Sequence, residues 1–169
     1  FTKSATESLN LLAYSISNTS GFLKAGDEIL VSEMEHHANL IPWQELARRS
    51  GATLKWVSVN GEGRLDLQDF ERLITSKTKV VSIAHQSNVL GTLNPISKIA
   101  SIAKKHGSYV FVDACQSVPH MKIDISKLGI DALVFSSHKM LGPTGVGILW
   151  AKAELLDRLD PFLFGGSMI

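Results

Sequence analysis

The sequence predicts an α/β fold, with helices in two layers around a mostly parallel sheet (α/β/α). Two observations predict it. Short apolar, β-rich runs alternate along the chain with amphipathic stretches of helical period. Several of those runs end on clusters of polar residues, as strands of a parallel sheet do where they face a ligand. No internal repeat, low-complexity tract or linker interrupts the 169 residues, so one domain is expected over 1–169.

Each element has a local signal. Leu9, Leu12, Ala13 and Ile16 fall at helical spacing and predict a helix over 6–17. Residues 28–32 read as a strand, and 39–49 as a helix stopped by Gly51. A strand over 53–59 leads into the turn Asn60-Gly61-Glu62-Gly63. Asp66 can cap a helix running through Leu73 and Ile74, with Asp69 in its first turn. A strand over 79–84 follows, then a helix over 96–106 opened by Asn94-Pro95 and closed by Gly107. Strands are expected at 109–113, 132–136 and 146–150, and a last helix from about 153. Residues 165–169 read as a loop leading onward.

Composition excludes several classes. The chain is 44% hydrophobic and 20% charged, with net charge +1, which suits a soluble globular domain. Its lysines and arginines form no basic stripe, so no nucleic-acid partner is expected. No apolar run approaches the ~20 residues that a membrane helix needs. The single cysteine, Cys115, allows no internal disulfide and fits a reducing compartment. Phe1 at the start and the loop at the end lead to the expectation of an excerpt from a longer chain. No metal site is expected.

The strand ends gather the chemistry. Glu33, Glu35, His36, His37 and Asn39 follow the first strand; His85, Ser87 and Asn88 follow the third. Asp113 and Gln116 end the fourth, and Ser136, His138 and Lys139 the fifth. A phosphate needs hydroxyls, cations and amides at a helix start, which Ser4-Ala5-Thr6, Ser136 and His138 can supply. A protonated pyridine nitrogen needs a buried carboxylate, and Asp113 ends a very apolar strand. An aldehyde carbon needs an amine, for which Lys139 is the candidate, and His36 can face a flat ring. The plain alternative for Lys139 is a surface lysine on a loop.

On four motifs the chain resembles the large domain of pyridoxal-phosphate-dependent cysteine desulfurases and selenocysteine lyases of the SUF type. These belong to the class V aminotransferase group of fold-type I enzymes. The motifs are Ser32-Glu33-Met34-Glu35-His36-His37-Ala38-Asn39, Ser87-Asn88-Val89-Leu90-Gly91, Val112-Asp113-Ala114-Cys115-Gln116 and Ser136-Ser137-His138-Lys139. The resemblance implies a pyridoxal 5′-phosphate cofactor, with Lys139 as the Schiff-base lysine and Asp113 on the pyridine nitrogen. It implies Gln116 near the phenolic oxygen, and His36 stacked on the ring and, with Lys139, catalytic. It also implies Thr6, Ser136 and His138 on the phosphate, and Asn88 on the substrate carboxylate. His37 is expected to be a packing histidine. The implied reaction removes sulfur from L-cysteine, or selenium from L-selenocysteine, and leaves L-alanine. The implied partners are a second copy of the chain, which completes the phosphate site, and a sulfur-acceptor protein in iron–sulfur cluster assembly. The implied compartment is the cytoplasm or an organelle.

Three positions depart from the family's pattern. Ala5 stands where a second threonine is frequent, leaving its backbone amide as the remaining phosphate donor. Ser137 replaces a common glycine, and Cys115 a small residue. Cys115 is expected to behave as a small buried apolar group, with the persulfide cysteine beyond Ile169. The N-terminal segment and the C-terminal small domain are expected to lie outside the excerpt. Alternatives are another class V enzyme, such as a kynureninase or an epimerase, and an α/β binding module that is inactive as an isolated piece.

Overall fold

The structure, a computed structural model, describes residues 1–166 and 168. Six strands form one sheet: β1 (Glu28–Ser32), β2 (Thr53–Val57), β3 (Thr78–Ala84), β4 (Tyr109–Asp113), β5 (Ala132–Ser136) and β6 (Gly147–Ala151). Their order is β2-β1-β3-β4-β5-β6. Strands β1 to β5 pair in parallel, and β6 runs antiparallel on β5. Residues 137–146 hold only a 3-10 turn, Ser137–Met140, too little for the helical crossover that a parallel neighbour requires, so β6 turns back. The direction of strand addition reverses between β1 and β3, which opens a crevice at their carboxyl ends.

Helices α1 (Ala5–Asn18) and α2 (Ile41–Ser50) cover one face, and α3 (Leu67–Leu73) and α4 (Ile96–Lys105) the other. Alternation along each strand divides the core. Ile29, Val31, Val80, Phe111 and Val134 pack with Leu9, Leu12, Ile16 and Trp43. Leu30, Val81, Ile83, Val112 and Leu133 pack with Phe70, Ile96 and Ile99. Trp43 and Phe111 stack with ring centroids 5.6 Å apart. Full burial of such side chains stabilises by about 1.5–3 kcal/mol each. The short helices α5 (Ile125–Leu128) and α6 (Ala153–Arg158) complete the unit.

The helix expected over 39–49 is divided. A 3-10 turn, His37–Asn39, precedes α2, and the break falls at Leu40 (φ −121°, ψ −58°). Pro42 lies in the first turn of α2, where its missing N–H costs no hydrogen bond. Gly51 stops α2 in the left-handed region, as expected. Strand β2 ends two residues before its expected limit of 59, because the Ser58 amide leaves the sheet for Asp69 Oδ2 at 2.9 Å. Pro95 is the N-cap of α4, one position outside the helix. The loop expected over 165–169 includes Ser167 and Ile169, which lie outside the described residues.

One glycine fixes how α1 meets the sheet. Gly147 exchanges two backbone hydrogen bonds with Thr2, at 2.9 and 2.7 Å. A Cβ on Gly147 would stand 2.4 Å from the Ser4 carbonyl carbon and 2.6 Å from its Cα. Backbone must then move. Gly147→Ala is expected to cost about 1–3 kcal/mol. The effect should read as a lower urea midpoint with an unchanged slope.

Candidate active site

The expected site residues lie on the carboxyl edge of the sheet and the loops that leave it. Ser136, the last residue of β5, is buried, and its Oγ accepts a hydrogen bond from the Ala5 amide at 2.8 Å. The start of α1 and the end of β5 thus form one cradle. Ser4 caps α1 by accepting from the Glu7 amide at 3.2 Å. The Thr6 amide and hydroxyl make no donated hydrogen bond among the described residues, and Thr6 is exposed. Because Ser136 Oγ accepts from Ala5, its own hydrogen is free to be donated. A helix start with an amide, a threonine hydroxyl and a serine hydroxyl free is a fit for a phosphate.

Asp113 ends β4 and is 6% exposed. Its Oδ1 accepts from the Cys115 amide at 2.9 Å. The Cys115 thiol lies against the Asp113 carboxyl and the Ser136 amide, within range of the Lys139 charge. Lys139 is half-buried in the 3-10 turn after β5. The turn is closed by the Gly142 amide on Ser137 O at 2.9 Å, and Ser137 Oγ donates to Pro143 O. Ser137, one of the departures from the family's pattern, therefore ties this loop together. Leu141 ends the turn with φ 64° and is fully exposed. That left-handed backbone costs a leucine roughly 1–2 kcal/mol.

On the other side of the crevice, His36 Nδ1 accepts from the Ala38 amide at 3.1 Å. This caps the 3-10 turn and leaves the ring proton on Nε2. His36, His37 and Asn88 line a cleft of about 650 Å³ with Met34, Val59 and Leu90. Thr6, Asn88, Gln116 and His138 make no hydrogen bond to another candidate residue among the described residues. A buried carboxylate, an exposed ring, a half-buried amine and a helix-start cradle on one edge suit an aromatic, phosphorylated aldehyde.

Sequence reasoning assigned no role to Glu35, yet its carboxyl is the most densely bonded group at this edge. Its Oε1 accepts from Ser32 Oγ at 2.5 Å and the Ala84 amide at 3.0 Å; its Oε2 accepts from Asn39 Nδ2 at 2.6 Å. Burial, opposed by these donors and reinforced by the Asp113 charge, pushes its pKa up to about 7. The available signal was the Ser32, Glu35, Asn39 spacing directly after an apolar strand.

The sequence model of one protein family, aminotransferase class-V, matches residues 1–169. This chain belongs to the aminotransferase class-V family. It is 48% identical over 169 residues to a probable cysteine desulfurase of Halalkalibacterium halodurans, covering all of this chain and 41% of that protein. It is 47% identical to a cysteine desulfurase of Haloferax volcanii, again over its whole length and 39% of the relative. Among solved structures, the cysteine desulfurase CsdA of Escherichia coli superposes with a TM-score of 0.91 at 37% identity, over 99% of this chain and 41% of the other. A cysteine desulfurase of Thermococcus onnurineus also gives 0.91, at 42% identity, over 98% and 40%. This class-V chain thus spans about two fifths of the length of the relatives it matches, and its α/β/α architecture is that of fold-type I enzymes. Among the described residues no helix is long and apolar enough to cross a membrane.

Cys115 is buried in this class-V site, and its thiol is pushed up to about 12, by burial first and then by Asp113. At pH 8 roughly one thiol in 10,000 is then ionised, too few for a working nucleophile. Cys115→Ala in the full-length protein is expected to keep most turnover of L-cysteine. Complete loss with cofactor still bound is the opposite result, and sulfide release measures it.

Proposed function

We propose that residues 1–169 are the cofactor-binding large domain of a pyridoxal-phosphate-dependent cysteine desulfurase. An N-terminal segment and a C-terminal small domain complete the longer chain. The observation that carries this reading is that Asp113 and Ser136 end the adjacent strands β4 and β5, with Lys139 in the turn directly after, in a chain whose relatives along its whole length are named cysteine desulfurases.

When bound, the cofactor withdraws the electron pair left as the substrate loses its α-proton. Asp113 would keep the pyridine nitrogen protonated. His36 would hold the ring by its face and Gln116 would meet the phenolic oxygen. Ser136, His138 and the hydroxyl and amide of Thr6 would form the phosphate cradle; the Ala5 amide, expected to donate to the phosphate, is instead given to Ser136 Oγ and holds that serine in place. Asn88, at the mouth of the cleft, takes the substrate carboxylate. Lys139 Nζ would hold the aldehyde carbon and, once released from it, could accept the substrate α-proton and return a proton to the product. The thiolate of a cysteine beyond Ile169 would attack the substrate sulfur: an S–S bond forms as the C–S bond breaks, the C–S electron pair passes to the substrate carbon, which takes up protons to leave as L-alanine, and the sulfur stays as a persulfide. The full-length protein works as a homodimer in the cytoplasm or an organelle. It passes sulfur to an acceptor protein for iron–sulfur cluster assembly.

The test is direct. Full-length protein supplied with pyridoxal 5′-phosphate should show the visible absorption of bound cofactor and release sulfide and alanine in equal amounts from L-cysteine with a thiol reductant present. Release from L-selenocysteine alone would reassign it as a selenocysteine lyase. No visible band would leave a binding module.

A further inference from the structure

We propose that Glu35 is a positioning residue for the cofactor: it fixes the His36-bearing turn on the sheet and places a second, titratable carboxyl beside Asp113. This rests on the reading above and concerns a residue for which that reading has no use.

The hydrogen-bond directions around Glu35 are set from the core. Trp43 Nε1 can only donate, and it donates to Asn39 Oδ1 at 3.0 Å. Ser82 Oγ donates to the same oxygen at 2.6 Å. Asn39 must therefore turn its NH2 toward Glu35 Oε2, which must accept. The Ala84 amide likewise can only donate to Oε1. Both ends must be able to accept, one from Asn39 and one from Ala84, and the NH2 of a glutamine cannot. Asn39 and Ser82 are fully buried, so the chain from Trp43 to Glu35 is shielded from water. It pins the residue next to His36 to both β1 and β3.

The same carboxyl can change charge without breaking the network. Ser32 is the one partner able to reverse. It donates to ionised Glu35, and at 2.5 Å it can accept the proton of the neutral acid. Ala84, whose amide bonds Glu35, is the cross-strand partner of Asp113. Asp113 on β4 raises the Glu35 pKa, so the two carboxyls feel each other. Other titratable groups are Glu33, His36 and His37 on its own turn, His85 after β3, and Cys115 and Lys139 on the Asp113 side. Ionised Glu35 adds negative charge next to the group that holds the ring proton, and so stabilises the cationic form of the bound cofactor.

The test uses the full-length holoenzyme and follows the visible band of bound cofactor against pH. Glu35→Gln should lower the midpoint of its pH transition by about 0.5–1 unit, because a stabilising negative charge is gone. Glu35→Asp keeps the charge but falls one methylene short. It should hold the parent midpoint and weaken cofactor affinity about fivefold or more, measured by titrating the apoprotein. A Gln variant with the parent midpoint overturns the proposal, as does an Asp variant with parent affinity. If the Gln variant does not fold, the Asp affinity decides. A parent protein that forms no band would instead overturn the proposed function.

Discussion

Lys139→Ala in the full-length protein is expected to abolish L-cysteine turnover, by at least about a thousandfold, and to remove the visible band of bound cofactor. Two roles are lost together: covalent hold on the aldehyde carbon and proton transfer at the substrate α-carbon. Proton transfer alone contributes about a hundredfold to ten-thousandfold. The fold should survive. Lys139 is half-buried, and the turn that carries it is closed by backbone bonds and by Ser137, not by its own side chain. Lys139→Arg sharpens the test, since arginine keeps the positive charge but stays protonated. If charge were all that Lys139 supplied, arginine would restore activity; it is expected to restore none. Turnover within tenfold of the parent in either variant would remove Lys139 from the mechanism.

Asp113→Asn is the second large effect. Asparagine is nearly isosteric, and its Oδ1 can still accept the Cys115 amide bond that Asp113 makes at 2.9 Å. Stability should therefore change little, with a thermal midpoint within a few degrees of the parent. What disappears is the negative charge on the pyridine nitrogen. Removing one such preorganised electrostatic contact costs about a hundredfold to a thousandfold in turnover. The cofactor should still attach through Lys139, so the band persists while turnover falls. That separation distinguishes Asp113 from a residue that only supports the site. A variant that loses both cofactor and fold would show the carboxylate to be structural.

Much of this was legible in the chain. The strands were readable because an apolar run with both faces covered carries its own signature, as in residues 28–32 and 109–113. Asp113 and Lys139 stood out because each follows such a run immediately. What escaped depends on contacts between distant segments. The reversal of β6 follows from the short connection after β5. The break at Leu40 follows from seating Asn39 against Ser82, 43 residues away. Ala5 looked like the loss of one phosphate ligand, but its amide donates to a serine 131 positions on. Glu35 read as one loop carboxylate among several, because its partners lie on three separate elements. The αL backbone at Leu141 was invisible, since glycine is the usual sign of that conformation.

The cradle at the start of α1 has a consequence for the order of events in synthesis. Its two halves, at Ala5 and Ser136, leave the ribosome 131 residues apart. The bridge from Thr2 to Gly147 cannot form until β6 exists. Contacts so far apart in the chain are slow to close and form late. A nascent chain therefore has no complete phosphate cradle until nearly the whole sheet has assembled. Under the proposed function, the cofactor's phosphate would find its full set of donors only after β5 has joined the sheet and β6 has tied the start of α1 to it.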